Sequence, residues 1–149
     1  MAIRLEDVLE MWKTDSEIDE LKLDEASQES ARLHAKYLEM LSVTRLQLKR
    51  KEAEFNVLLK DKFLWYNGKM SKDEMDARGW DYDPLNGLKI LKGDMDRFYD
   101  ADEDIQNAKM RIDYLKELVA VLEEIINNIR WRHQTIRNSI EWQKFTSGI

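Results

Sequence analysis

Residues 45–66 read RLQLKRKEAEFNVLLKDKFLWY, and their types and spacing suit one kind of chemistry, the binding of an anion. Six bases (Arg45, Lys49, Arg50, Lys51, Lys60 and Lys62) face three acids (Glu52, Glu54 and Asp61). The local balance is +3 in a chain whose net charge is -6. Lys and Arg neutralise phosphates and release condensed counterions. Phe63, Trp65 and Tyr66 end the run, and Lys69 stands just beyond. Aromatic rings stack on unpaired bases for about 1–3 kcal/mol each without reading sequence. The combination fits a single strand better than a duplex. A solvated helix face beside core aromatics has the same pattern, and spacing alone leaves both readings open.

Other chemistries find little support. The chain has no Cys, so disulfides, thiolate nucleophiles and Cys-based zinc sites are excluded. Neither Gly-rich phosphate-binding motif occurs. The acidic run at residues 94–104 lacks the Gly and Glu spacing of a calcium loop. Acids there suit the positive end of a helix dipole. His34 and His133 are the only histidines, and neither sits in a metal-binding helix pattern. No nucleophile, base and acid fall into a readable arrangement. The expectation is a non-enzyme without metal or cofactor.

Long helices must position the basic run. Charged residues make up 36% of the chain, which suits extended solvated helices. Four of the five glycines and the single Pro84 lie between residues 68 and 93, so the turns are confined there. Ile3 to Trp12 is a candidate short amphipathic helix, with Ile3, Val8, Leu9 and Trp12 on one face. Residues 4–25 carry nine acids against three bases, an end that repels nucleic acid. From near Asp19 to about Trp65 there is no Gly or Pro. Tyr37, Leu41, Thr44, Leu48, Phe55 and Leu59 form one helical stripe. Arg45, Lys49, Asn56 and Lys60 follow the same spacing on a neighbouring face. Asn67-Gly68 and Asn86-Gly87 are turn dipeptides within a connector, residues 67–93. Lys89 to Lys92 is a candidate short strand.

A second long helix is expected from about Asp94 to about Phe145. Phe98, Ile105, Ile112, Val119, Ile126, His133 and Ile140 fall at one heptad position. Ala101, Ala108, Leu115, Leu122, Ile129, Ile136 and Gln143 fall at the other. A strict apolar heptad implies a coiled-coil seam. Such a helix is about 75 Å long at 1.5 Å per residue. Leu118 and Ile125 widen the seam, while Trp131 and Trp142 fall outside it. The surplus apolar surface points to self-association. The candidate oligomerisation residues are Leu115, Leu118, Leu122, Ile125, Ile129, Trp131, Ile136, Ile140 and Trp142. Residues from Arg130 onward also hold four bases and one acid, suited to a helix C-terminus.

The expected fold is all-α. Two long helices form an antiparallel hairpin, with a short N-terminal helix before them. Residues 1–93 would be the DNA-binding region with its connector, and 94–149 the oligomerisation helix. The N-terminus lacks the basic and apolar regions of a secretory signal, and no apolar stretch approaches the ~20 residues of a membrane span. A soluble intracellular chain is expected.

Three stretches carry a family resemblance: IRLEDVLEMWKTDSEIDELKLDEAS near the N-terminus, LKDKFLWYNGK in the middle, and the pattern of Ile136, Ile140, Phe145 and Gly148. In order and spacing they resemble the UvsY-like recombination mediators of T-even-type bacteriophages, over essentially the whole chain. The resemblance implies single-stranded DNA binding and a ring-like homo-oligomer, a hexamer or heptamer, closed through the C-terminal helix. It implies a mediator that helps a RecA-like recombinase displace single-strand-binding protein, in the cytoplasm of the infected host. The family's basic pair falls on Lys60 and Lys62, the second being Arg in the family. Lys keeps the charge there but loses the bidentate fork. Trp65 and Tyr66 stand where the family has a Tyr pair. The connector, with Trp80, Tyr82 and Pro84, departs most. The DNA-binding candidates are thus Arg45, Lys49, Arg50, Lys51, Lys60, Lys62, Trp65, Tyr66 and Lys69. The alternative is a coiled-coil adaptor or structural protein that binds only protein partners.

Overall fold

The computed structural model describes residues 3–148, and every element among them is helical. The elements are α1 (Leu5–Asp15), α2 (Leu23–Tyr66), α3 (Lys72–Arg78), α4 (Met95–Ala101) and α5 (Glu103–Thr146), with a 3-10 turn at Lys92–Asp94. No strand forms at residues 89–92, where Leu91 instead leads into the 3-10 turn. The expectation of two long helices after a short one holds, with α2 and α5 each 44 residues long. No helix among the described residues is long and apolar enough to cross a membrane. The chain packs as two compact units, residues 48–114 and residues 1–47 with 115–149. These units do not follow the division expected at residue 93.

In the unit formed by the two ends of the chain, α2 and α5 run antiparallel. Leu23 and Ala26 pack with Ile136, whereas Arg45 reaches Glu123 at 2.7 Å. The core joins Val8 of α1, Leu33, Tyr37 and Leu41 of α2, and Leu118, Leu122, Ile125, Ile126 and Ile129 of α5. Each such side chain taken fully from water contributes about 1.5–3 kcal/mol. Part of the α5 heptad is thus covered by the chain's own helices, with Leu122, Ile126, Ile129 and Ile136 buried. Of the residues expected to self-associate, Leu118, Leu122, Ile125, Ile129 and Ile136 are buried within the chain, and Leu115 is half-buried. Trp131, Ile140 and Trp142 remain exposed, as does Phe145, whose ring stacks on Trp142. The end of α1 is tied down by polar contacts. Tyr37 donates to the Asp15 carboxylate at 2.7 Å, Lys36 donates to the same oxygen at 2.6 Å, and buried Arg132 donates to the Asp15 carbonyl at 3.0 Å.

In the unit of residues 48–114, the expected helix start at Asp94 is displaced. α4 ends at Ala101, and a separate α5 begins at Glu103. Asp102 causes the break. Its backbone is extended, and its carboxylate accepts from the Ile105 N–H at 3.0 Å, the geometry of an N-cap. The same carboxylate accepts from the Tyr66 hydroxyl at 2.6 Å and meets the Lys62 ammonium at 3.1 Å. Within the connector, Ser71 caps α3 by accepting from the Glu74 N–H. Gly79 ends α3 in the left-handed conformation, φ 72°. Asn86 and Gly87 form a second left-handed turn, where the Asp83 carboxylate accepts from the Gly87 N–H.

Two carboxyl groups link this architecture to pH. Burial alone would raise the Asp102 carboxyl, but hydrogen bonds from Tyr66, Ile105 and Lys62 outweigh it and hold the group below its ordinary range. At Asp15 burial again would raise the carboxyl, but bonds from Lys36 and Tyr37 outweigh it and hold the group below its ordinary range. A carboxyl depressed on folding stabilises above its unfolded value of about 4 and loses that contribution as pH falls through the lower folded value. An acid titration should therefore loosen the native state below about pH 4. Asp102→Asn should shrink the acid-dependent part of the stability measured by urea unfolding at stepped pH. An unchanged pH profile in that variant would contradict the assignment.

Candidate nucleic-acid interface

The second half of α2 presents two different sides within the 48–114 unit. Lys49, Asn56, Lys60 and Phe63 follow one another at spacings of seven, four and three, which aligns them along one side of a helix. All four are exposed, as is Ala53 between them. Arg50 is exposed on the flank, and neither it nor Lys49 forms an ion pair among the described residues. Lys60 is 67% exposed and lies 3.6 Å from Asp61, a loose surface pair. Phe63 is 41% exposed, and the Lys69 ammonium sits 5.8 Å from its ring centroid. A cationic stripe therefore ends on an accessible aromatic ring with a further cation above it.

The opposite side of α2 packs inward, and Lys62 belongs to it. Lys62 falls seven residues after Phe55 and four after Leu58, both partly buried. Its side chain is 3% exposed, with the ammonium 3.1 Å from Asp102 and 2.9 Å from Asp104. The Trp65 and Trp80 rings flank it, with centroids at 4.5 and 4.1 Å. A buried ammonium is tolerable only where counter-charge and ring faces replace its water. Lys62 is thus enclosed, and in this conformation its ammonium faces Asp102 and Asp104 rather than solvent.

Trp65 and Tyr66 are likewise structural in this arrangement. Trp65 donates to the Asp81 carbonyl at 2.8 Å and packs on Tyr66 and Trp80, with centroids at 4.8 and 5.2 Å. Tyr66 packs on Phe98, and burial first, then its bond to Asp102, raises its hydroxyl above the ordinary tyrosine range. Both side chains are half-buried, so the open ring at this end of α2 is Phe63.

The remaining candidates divide. Lys51 is half-buried and pairs with Glu54 at 3.1 Å, beside a hollow also lined by Arg78 and Arg111. Arg78 is held by Asp61. Arg45 belongs to the other unit, where Glu123 already neutralises it. Among the described residues no group of His, Asp and Glu is clustered to hold a metal.

Three comparisons bear on this geometry. A family model described as "Recombination, repair and ssDNA binding protein UvsY" matches residues 11–149. The chain is 25% identical over 146 residues to "Recombination protein uvsY" of Enterobacteria phage T4, covering 98% of this chain and 99% of that protein. Crystal structures of the bacteriophage T4 recombination mediator protein UvsY share its fold. One in lattice type II gives a TM-score of 0.84 at 24% identity, over 98% of this chain and 99% of that one. Another in lattice type IV gives 0.80 at 24% identity, over 97% and 99%. With nearly its whole length matched by the family's sequence pattern, the chain belongs to the UvsY family.

Proposed function

We propose that this chain is a recombination mediator that binds single-stranded DNA and promotes loading of a RecA-like recombinase onto DNA coated with single-strand-binding protein. The carrying observation is the exposed line of Lys49, Asn56, Lys60 and Phe63, with Arg50 and Lys69 beside it. The cations hold phosphates, and Phe63 offers one face to an unpaired base. Asn56 adds a neutral hydrogen-bonding group between the two lysines. Lys62 acts indirectly, by fixing the end of α2 and the connector.

Copies of the chain associate through Trp131, Ile140, Trp142 and Phe145 into a ring, a hexamer or heptamer. Exposed large apolar side chains clustered on one helix end support this reading. Repetition converts modest contacts into tight binding, because each later contact is intramolecular. The ring holds a strand against single-strand-binding protein and presents it to the recombinase in the host cytoplasm. The family membership supports recombination as the setting. A protein-only adaptor would share the assembly but not the strand affinity.

Two tests separate these elements. Lys49→Ala with Lys60→Ala should weaken binding to oligothymidylate and flatten the salt dependence, by about 0.7 in log–log slope per lost phosphate contact. Lys62→Met should keep the slope but lower stability by about 3 kcal/mol, because it strands the buried Asp102 carboxylate. A slope lost with Lys62→Met and kept in the double variant would reverse the assignment. Trp142→Ala with Phe145→Ala should shift native mass spectra toward smaller species. Spectra unchanged from the parent would remove this surface from the assembly.

A further inference from the structure

The connector and the end of α2 line a half-open cavity of about 560 Å³, which the stripe does not use. It is lined by Trp65 and Tyr66 at the end of α2, Lys69 just beyond it, Met75 of α3, and Tyr82 and Lys89 of the connector. Its volume falls in the ~300–1,000 Å³ range of small-molecule pockets. We propose that this cavity receives one unpaired nucleobase of the strand held on α2, a subsite that rests on the single-strand reading above.

Position supports the occupant. Lys69 lines the cavity and its ammonium also lies 5.8 Å from the Phe63 ring centroid, so the cavity adjoins the end of the stripe. A strand passing Lys60 and Phe63 therefore runs beside it. Lys69 and Lys89 can take the phosphates on either side of an inserted base. Asp83 also lines the cavity and accepts from the Gly87 N–H at 2.8 Å, which leaves two cations, Lys69 and Lys89, against one carboxylate there.

The walls suit a flat ring. The polar ends of Trp65 and Tyr66 are tied to the Asp81 carbonyl and the Asp102 carboxylate, so those side chains are fixed before any ligand arrives. Fixed walls reduce the entropy lost on binding. Tyr82 differs from them. It is 79% exposed, and no hydrogen bond or ring contact among the described residues holds it. An aromatic ring left open at a cavity mouth can close on an inserted base, offering the second face of a stack. Stacking of this kind needs no particular base, so the subsite should accept all four, with purines held more strongly by their larger rings.

The test uses the full chain and two oligonucleotides of equal length and charge, oligothymidylate and a strand with abasic positions. Fluorescence anisotropy at fixed salt gives the affinity ratio between them. The parent protein should prefer the base-bearing strand by roughly tenfold or more. Tyr82→Ala should reduce that ratio several-fold, and Tyr82→Phe should restore it, because the ring and not the hydroxyl stacks. Lys60→Ala should weaken both strands alike and leave the ratio in place. A ratio unaffected by Tyr82→Ala, or one abolished only by Phe63→Ala, would overturn the cavity while leaving single-strand binding intact. A parent protein that binds neither strand would overturn both readings together.

Discussion

An ammonium group removed from water must find its compensation on the spot, and Lys62 sets that requirement for the 48–114 unit. Desolvating a cation costs several kcal/mol even after relaxation. Two carboxylates and two indole faces supply the compensation here. Each partner has a consequence of its own. Asp102 leaves the helix to reach the ammonium, so α4 and α5 are separate elements. Trp80, two residues beyond α3, packs its ring on the same ammonium and donates to Asp104 at 3.2 Å. The connector therefore has a fixed end where its composition alone suggests a loose loop.

That inward cluster explains how the outward side stays available. Lys62 is the cation that the fold retains, and its acids are turned toward it. Lys49 and Lys60 keep their charges in water, without tight partners. Net charge does not decide the local one, because charges separated by more than about 8–10 Å are screened at physiological salt. An acidic chain can thus carry a locally basic surface. The oligomer expected from Trp131, Trp142 and Phe145 would repeat that surface without requiring strong contacts from any one copy.

Much of this fold is legible in the sequence, and the exceptions have physical causes. The absence of Gly and Pro delimits α2 to within a few residues. The confined turn residues mark the connector. The break at Asp102 is concealed because Phe98 and Ala101 continue the apolar register of α5 across it. The signal there was an N-cap acid inside an acidic run, not a Gly or Pro. Lys62 is the instructive case in the site. Its family position suggests a phosphate ligand, yet its spacing from Phe55 puts it on the apolar stripe. Periodicity held that information, whereas charge counting obscured it. Phe63 was overshadowed by Trp65 and Tyr66, whose burial depends on Trp80 and Phe98, residues distant in sequence. Heptad spacing marks much of the buried face of α5 but misses Leu118 and Ile125 and includes exposed Ile140, and it cannot say whether the partner is the same chain or another copy.

The central claim is that strand binding uses the lysines facing water and leaves the enclosed one untouched. Lysine acetylation with a small reagent, mapped by mass spectrometry with and without oligothymidylate, tests it most directly. The account predicts that Lys49 and Lys60 are modified in the free protein and protected by the oligonucleotide, while Lys62 resists modification in both. Ready modification of Lys62 in the free protein, lost on adding DNA while Lys49 and Lys60 stay reactive, would contradict it.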